Sequence, residues 1–366
     1  MKKKISVIAY FVAVSLILGA CSLNANVAGT SSSDTQQLSG EAQTDGREAQ
    51  NEAPSADGTV ASDTQNGESA TESAEPAQEM PTHKNPPLPA PEPKPEPKVV
   101  TLGDYETTSN RTGINISGMD VSGLDVDAFI NEIPGLKLLI MKDCGLENEE
   151  YAALQDAHPD VRIIWNIKTR WWTIPTDAVA FSTLIAIGQE YKFLTDDEAY
   201  YFRYCKDMVA LDIGHCRVTD LSFLEYMPNL KVLIVVENHR SDGGRGRITD
   251  FSPIGYCTKL RYLECFANDA EDFSFLSNLP EIEDLNICYN RISDVSYLEN
   301  LPNLQKLWIE GTRLKYDDYV KLTEEYPNAK IVYYGSGSVD QGWREGPHYE
   351  AMRNMVKNNV IDDVYR

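Results

Sequence analysis

The sequence has few of the residues, and none of the spacings, that usually build catalytic or metal centres. Its five histidines stand apart from one another, and its seven cysteines form no C-x-x-C pair. Protein zinc sites need closely spaced ligands of that kind or of the H-E-x-x-H kind. No G-x-S-x-G elbow, P-loop or G-x-G-x-x-G turn after a strand occurs either. We therefore predict a protein without enzymatic activity, metal or cofactor, and leave a triad assembled from distant residues as the alternative.

Basic residues are also scarce. Lys and Arg number 33 against 56 Asp and Glu, which gives a formal net charge of −23 at pH 7. Proteins that bind nucleic acids or anionic lipid headgroups do so through clustered positive charge. The acidic balance argues against both kinds of partner, so we expect no nucleic-acid binding.

A long apolar run occurs only at the start of the chain. It extends from Ile5 to Leu18, follows three lysines, and is short for a spanning helix, which needs about 20 apolar residues. Such a start is typical of a secretory signal. The sequence Leu-Gly-Ala-Cys at 18–21 resembles the bacterial lipobox, which implies cleavage before Cys21 and a diacylglycerol anchor on its sulfur. We predict a lipoprotein signal peptide over 1–20; an ordinary signal peptide is the alternative.

Large apolar side chains are nearly absent from residues 21–98. Ser, Thr, Gln, Glu, Ala, Asp and Gly dominate there, and such a segment cannot bury enough surface to offset its chain entropy. Its last part, 81–98, is rich in proline, which favours an extended spacer. We predict a disordered acidic and proline-rich linker that follows the lipidated Cys21 and holds the folded part away from the membrane. The alternative is that the proline-rich part is a ligand for another domain.

The strongest positive signal is an internal repeat. Four stretches align without gaps and share an Asp, a Ser and several apolar positions: 218–230, 248–260, 270–282 and 292–304. Short apolar-x-apolar strands precede the first stretch and follow each of them: Leu211/Ile213, Leu233/Val235, Leu263/Cys265, Leu285/Ile287 and Leu307/Ile309. Five residues after the first position of each strand comes a residue that suits a bend: Cys216, Asn238, Asn268, Asn290 or Thr312. This is the pattern of leucine-rich repeats.

The continuation of each repeat, Ile-x-Asp-Leu-Ser-x-Leu, resembles the internalin type of bacterial leucine-rich repeat. The resemblance implies an α/β solenoid with a parallel concave sheet and short convex helices or 3-10 turns. One turn cannot bury its own apolar face, so the turns stack and share a core. The bend residues should bond backbone groups that no strand satisfies, and Asp220, Asp250, Asp272 and Asp294 should cap the convex turns.

A second duplication extends the array. Residues 146–165 match 314–333 at a constant offset, and each copy predicts a helix with an acidic first turn, a proline break and a strand. We place irregular repeats at 99–206, internalin-like repeats at 207–334, and a C-terminal tail with a capping helix at 335–366. In this layout the chain resembles leucine-rich-repeat surface lipoproteins of gut Firmicutes, which implies lipid anchoring on the extracellular face of a Gram-positive cell membrane. That family carries no activity over to this chain.

The positions that the repeat leaves free are the candidates for binding. In each strand the residues beside the buried pair should face the concave side. They combine apolar and aromatic groups with acids, as interaction surfaces do: Asp212, His215, Ile234, Glu237, Tyr262, Glu264, Phe266, Asn286, Tyr289, Trp308 and Glu310. We predict that this face binds an extracellular protein, peptide or glycan. The alternative is that the tail folds across the face and buries some of these side chains.

An insertion of eight residues, 239–246, breaks the period. It brings together Arg240, Arg245 and Arg247, whose guanidinium groups suit a carboxylate or an acidic glycan. A glycine-rich excursion without a partner is the other interpretation. For the whole protein, the alternative to recognition is a structural or assembly component of the cell envelope with no external ligand.

Overall fold

A computed structural model of the chain describes residues 96–186, 192–238, 247–335 and 337–366. All of them belong to one compact unit, Pro95–Arg366. The predicted signal peptide, the lipidation of Cys21 and nearly all of the predicted linker lie outside the described residues, as do Arg240 and Arg245. Among the residues that are described, no helix has the length and apolar character needed to cross a membrane.

The described residues contain fourteen short strands in four sheets. One parallel sheet has seven strands in chain order: β8 (Ala180–Ser182), β9 (Ala210–Asp212), β10 (Val232–Ile234), β11 (Tyr262–Glu264), β12 (Asp284–Asn286), β13 (Lys306–Trp308) and β14 (Lys330–Val332). Another has three: β3 (Gly113–Asn115), β4 (Leu138–Ile140) and β5 (Arg162–Ile164). Two antiparallel hairpins pair β1 (Val99–Leu102) with β2 (Tyr105–Thr108), and β6 (Asn166–Lys168) with β7 (Thr173–Pro175).

Short helical segments connect most of the parallel strands. The α-helices in the described residues are α1 (Val126–Asn131), α2 (Asn148–Ala157), α3 (Asp196–Ala199), α4 (Tyr316–Glu325) and α5 (Pro347–Asn358). The 3-10 turns there are Thr183–Ala186, Tyr200–Tyr204, Ser222–Tyr226, Ser252–Tyr256, Ser274–Asn278, Val295–Leu298 and Asp363–Tyr365. The helices α2 and α4 occupy equivalent places in the two copies of the duplication, as the sequence predicts.

The predicted leucine-rich-repeat solenoid is confirmed. In the seven-stranded sheet the central leucines of neighbouring strands pair directly, as in Leu233 with Leu263 and Leu263 with Leu285. These leucines and the second apolar residue of each predicted strand are fully buried in one continuous core. The convex turns are capped as predicted: the Asp220 carboxylate accepts the Ser222 N–H at 2.9 Å, and Asp250, Asp272 and Asp294 accept equivalent bonds.

A left-handed bend follows each regular strand. Residues at one repeating position have positive φ: Asp143, His215, Glu237, Ala267, Tyr289 and Gly311. The next residue holds the bend with its side chain. The Asn268 amide donates to the carbonyls of Val235 and Cys265 at 2.8 and 3.0 Å, and the Asn290 amide donates to Cys265 and Ile287. These are the side-chain hydrogen bonds to buried backbone carbonyls that the sequence predicts for the asparagine positions.

Two features of the N-terminal part were not predicted. The hairpin β1–β2 precedes the first parallel strand, and the hairpin β6–β7 lies between the two parallel sheets. The second hairpin carries Trp171 and Trp172 near its tip, where both are partly buried. Trp172 packs edge-to-face on Phe181 with 5.9 Å between ring centroids, so its role is packing.

The six cysteines among the described residues are all buried, and none forms a disulfide. Burial raises the pKa of the Cys216 and Cys257 thiols to about 12. Because the thiolate is the reactive form, these groups are poor nucleophiles in the folded protein.

Candidate functional site

The sheet β8–β14 has an apolar cluster on each side. One is the leucine core; the other lies on the side that faces away from that core, which we call the concave face. The concave cluster includes Val232, Ile234, Tyr262, Phe266 and Trp308 from the strands and their ends. It also includes residues from the end of the chain: Trp343, Ala351, Met352, Met355 and Tyr365. The concave face is therefore covered by the chain's own terminus.

The covering element is residues 337–366, which we call the C-terminal segment. It starts beside the last strands, where the Asn286 amide donates to the Ser338 carbonyl at 2.6 Å. It ends across the first strands, where the Asn359 side chain accepts the Val179 N–H at 3.0 Å. Asn359 has a left-handed conformation that ends α5. The helix α5 presents Met352 and Met355 to the sheet, and it docks on the concave face rather than on the open end of the solenoid.

Trp343 anchors the segment. It is completely buried, and its ring centroid lies 5.3 Å from that of Tyr262 and 5.0 Å from that of Trp308. The indole N–H of Trp308 donates to the Asp340 carbonyl at 3.3 Å. A cluster of three aromatic rings thus joins the segment to two strands of the concave face, in the tilted arrangement that aromatic pairs prefer.

Arg344 supplies the central charge contact. Its Nη2 lies 2.8 Å from Oε2 of Glu264, a residue with no exposed surface. The Tyr262 hydroxyl also donates to Glu264. Burial lowers the pKa of Arg344, but the Glu264 carboxylate more than offsets this and the net pKa is raised. Burial, followed by the Glu264 charge, raises the pKa of Tyr262. Both groups are thereby held in the forms that bond Glu264.

A second set of contacts surrounds His348. Its Nδ1 lies 3.0 Å from Asp284 Oδ2, and its Nε2 lies 2.9 Å from Glu283 Oε2. Lys306 reaches the backbone of the segment and donates to the Glu345 carbonyl at 2.6 Å. At the chain's end, Lys231 donates to the Tyr365 carbonyl at 2.8 Å. The solenoid therefore holds the segment with both signs of charge: acids contact His348, and lysines donate to backbone carbonyls.

Asp212 is the third buried acid of this face. It accepts hydrogen bonds from Ser182 Oγ at 2.8 Å and from the Gly214 N–H at 3.2 Å. Burial raises its pKa and outweighs both hydrogen bonds, which lower it. Asp212, Glu264 and Asp284 thus place three carboxyl groups under a segment that supplies an arginine and a histidine.

The structure corrects the expectation that the predicted concave residues are exposed. Seven of them are buried: Asp212, Ile234, Tyr262, Glu264, Phe266, Asn286 and Trp308. The physical reason is the C-terminal segment, whose coverage corresponds to the alternative interpretation of the sequence. A ligand-binding role for these seven residues stays a prediction, and it requires the segment to leave.

Other predicted residues are half-buried or exposed along one edge of the face, at the left-handed bends or beside them. We call this edge the rim: His215, Glu237, Arg247, Tyr289 and Glu310. Tyr289 is 42% exposed, and its hydroxyl donates to Glu310 at 2.9 Å. Burial, followed by this hydrogen bond, raises the pKa of Tyr289 to about 12. His215 Nδ1 lies 3.3 Å from Glu237, and Arg247 Nη2 lies 3.8 Å from the same carboxylate. The rim combines an aromatic ring with charges of both signs.

The sequence did not predict the partners that the segment supplies. No site prediction named Trp343, Arg344, His348 or Asp284. The available signal was the acidity of the concave positions beside a terminus that contains Trp-Arg and His. Among the described residues, no group of three or more His, Cys, Asp or Glu is arranged to hold a metal ion.

No protein-family model and no curated protein matches this chain. Among solved structures it is similar to an internalin C2 from Listeria monocytogenes, at 20% identity and a TM-score of 0.33 over 61% of this chain and 80% of that one. It is also similar to the internalin inlF of the same organism, at 16% identity and a TM-score of 0.32 over 59% of this chain and 67% of that one. The fold itself rests on the strands, registers and repeats described above.

Proposed function

We propose that the protein is a non-enzymatic recognition protein of a bacterial cell surface, and that its solenoid binds an extracellular protein, peptide or glycan from the concave side. Lipidation at Cys21 would hold it at the extracellular face of a Gram-positive cell membrane, as in the lipoproteins of gut Firmicutes that it resembles. The linker 21–98 would extend the solenoid outward, and internalin-like repeats at 207–334 would carry the binding face.

One observation carries the proposal: the concave face already holds a peptide segment. Aromatic stacking at Trp343, an ion pair at Arg344 and backbone contacts from Lys306 hold residues 337–366 there. Buried aromatic and arginine anchors within a polar surround are the usual composition of protein recognition sites. A face that binds a segment of its own chain by these means has the chemistry to bind another protein.

The rim supports a first contact with an external ligand. It is the accessible part of the predicted site, and it includes Arg247, the residue that follows the eight-residue insertion in the sequence. Tyr289 offers an exposed aromatic surface, and Glu237 and Glu310 offer carboxylates. A ligand that docks here needs no rearrangement of the C-terminal segment.

The test is capture of surface and host proteins, and of wall glycans, by the full mature chain and two matched variants. Tyr289→Ala with Glu310→Gln removes the rim's aromatic and charged groups. Tyr256→Ala removes a tyrosine that is 58% exposed on the convex side, and serves as control. Loss of capture with the rim variant alone supports the proposal, and equal capture by all three chains refutes it. A structural component of the envelope would instead co-purify with envelope proteins and bind no external ligand.

A further inference from the structure

We propose that the concave face is a binding site for a protein segment that carries an aromatic residue followed by arginine, and that the C-terminal segment is its occupant in cis. The inference rests on the proposed function, because it names the class of ligand that the concave side takes. The ligand is a cationic, aromatic peptide that replaces Trp343, Arg344 and His348 at their contacts.

The acids of the sheet indicate a cationic occupant. Glu264 and Asp284 lie on strands β11 and β12 with at most 1% of their surface exposed, and each contacts a side chain of the segment, Arg344 or His348. A sheet that was merely packed against its own helix would favour apolar residues here, because a buried carboxylate is costly unless it is paired. With the segment removed, Glu264 would lose its arginine and lie open within the apolar concave cluster, while Asp284 would keep only Lys306, at 3.9 Å.

The cis occupant fits its groove on the concave face incompletely. Among the described residues, neither the Trp343 indole nitrogen nor Asp284 Oδ1 has a hydrogen-bond partner, although both atoms are buried. Each buried polar atom without a partner costs about 1–3 kcal/mol. A ligand that donates to Asp284 Oδ1, bonds Glu264 and brings no unpartnered donor of its own in place of the Trp343 indole would therefore fit the groove better than the segment does.

The segment is not needed to close the leucine core. Its apolar residues belong to the concave cluster, which is separate from that core. The last turn of the core is covered by α4, whose Leu322 is completely buried in it. Departure of the segment would thus expose the groove rather than the core, which is the behaviour of a ligand and not of a terminal cap.

The segment begins at a position with open space around it. A Cβ atom built at Gly337 would meet no other atom within 4 Å. We therefore choose this position for an inserted sequence.

The test uses the full mature chain with a protease site inserted between Gly337 and Ser338. After cleavage, residues 338–366 are held without a covalent link. A fluorescent peptide of the same residues is then added, and its binding is followed by anisotropy. We expect the peptide to exchange with the cleaved segment and to bind with a Kd of ~10 µM or tighter. Peptide Arg344→Glu, or chain Glu264→Gln, should weaken binding at least about tenfold.

Peptide Arg353→Glu is the matched control, because Arg353 lies on the same segment but is exposed. It should bind like the unchanged peptide. The proposal is overturned if the cleaved segment does not exchange, if its loss unfolds the solenoid in circular dichroism, or if Arg344→Glu and Arg353→Glu peptides bind alike. The rim variant tests capture of external ligands separately, so failure of peptide exchange and failure of the proposed function give different results.

Discussion

Arg344 of the C-terminal segment and Glu264 of strand β11 form an ion pair with 2.8 Å between Nη2 and Oε2. The pair lies beside the tilted rings of Tyr262 and Trp343, which come from the same two elements. It couples a charge contact to an aromatic contact at the centre of the concave face. We therefore expect this pair to contribute to docking beside the buried apolar residues of α5.

A double-mutant cycle should show this contribution. Removing one partner of a buried ion pair leaves the other unpaired, and costs about 3–5 kcal/mol. We expect Arg344→Met or Glu264→Leu alone to reduce the protection of the α5 amides in hydrogen exchange by a corresponding amount. The double variant should be much less affected, because it leaves no unpaired charge. Additive effects of the two changes would show that the pair does not hold the segment.

The asparagine positions give a prediction about the solenoid itself. Asn290→Ala removes the amide that bonds the carbonyls of Cys265 and Ile287, and leaves both buried without it. We expect a loss of about 1–3 kcal/mol in the free energy of unfolding, measured with denaturant. Asn303→Ala is the control, since its amide bonds the Pro280 carbonyl at an exposed site; we expect a change within about 0.5 kcal/mol. Equal losses would contradict the role of the buried amide.

The left-handed bend at Gly311 gives a second prediction about the solenoid. Gly311 has φ +67°, and a Cβ atom there would lie 2.3 Å from Cδ1 of Tyr289. Gly311→Ala should therefore cost more than about 1 kcal/mol and displace the Tyr289 ring from Glu310. Thermal unfolding and tyrosine fluorescence report the two effects. Gly337→Ala, where the added methyl group meets no neighbour, should leave both unchanged. A stable Gly311→Ala chain with native fluorescence would show that the bend tolerates a side chain.

The repeats could be predicted from the sequence because residues with the same structural role recur at a fixed spacing. Leu233, Leu263 and Leu285 face the same core, and Asn268 and Asn290 bond equivalent carbonyls. A single leucine proves little, but the same residue type in register in every turn identifies the strand and the bend. The hairpins β1–β2 and β6–β7 have no such recurrence and are short, so no periodic signal predicted them.

The sequence offered coverage of the concave face by the tail only as an alternative, and it could not decide between an open and a covered face. Tyr262 and Trp308 alternate with core residues along their strands. The strand pleat therefore places them on the concave face, whether that face is exposed to solvent or covered by another segment. Burial there depends on a contact between Trp343 and strands about 35 to 80 residues away, for which the sequence has one copy and no period. The charges of Arg344 and Glu264 were complementary, but complementarity between single residues is too common to identify a pair.

Asp212 makes the concave face sensitive to pH. Its pKa in the folded protein is raised above the ordinary value of 3.8, chiefly by burial. The protonated form is therefore favoured by folding, and the stability it contributes is fully present below pH 3.8 and is lost as the pH rises through the higher folded pKa. Asp212→Asn, which keeps the shape and cannot ionise, should be more stable than the unchanged chain at pH 7. The difference should disappear as the pH falls toward 4.

Asp272→Asn is the control of opposite sign. Hydrogen bonds from the backbone and side chain of Ser274 lower the pKa of the Asp272 carboxyl in the folded protein. Its contribution is present above pH 3.8 and is lost as the pH falls through the depressed folded pKa, so Asp272→Asn should be less stable than the unchanged chain at pH 7. Urea unfolding of the three chains between pH 4 and 7 measures both effects. A loss of stability at pH 7 on Asp212→Asn would contradict this prediction. It would show that the folded protein needs the ionised Asp212 carboxylate beneath the segment, stabilised by the charge of Arg344.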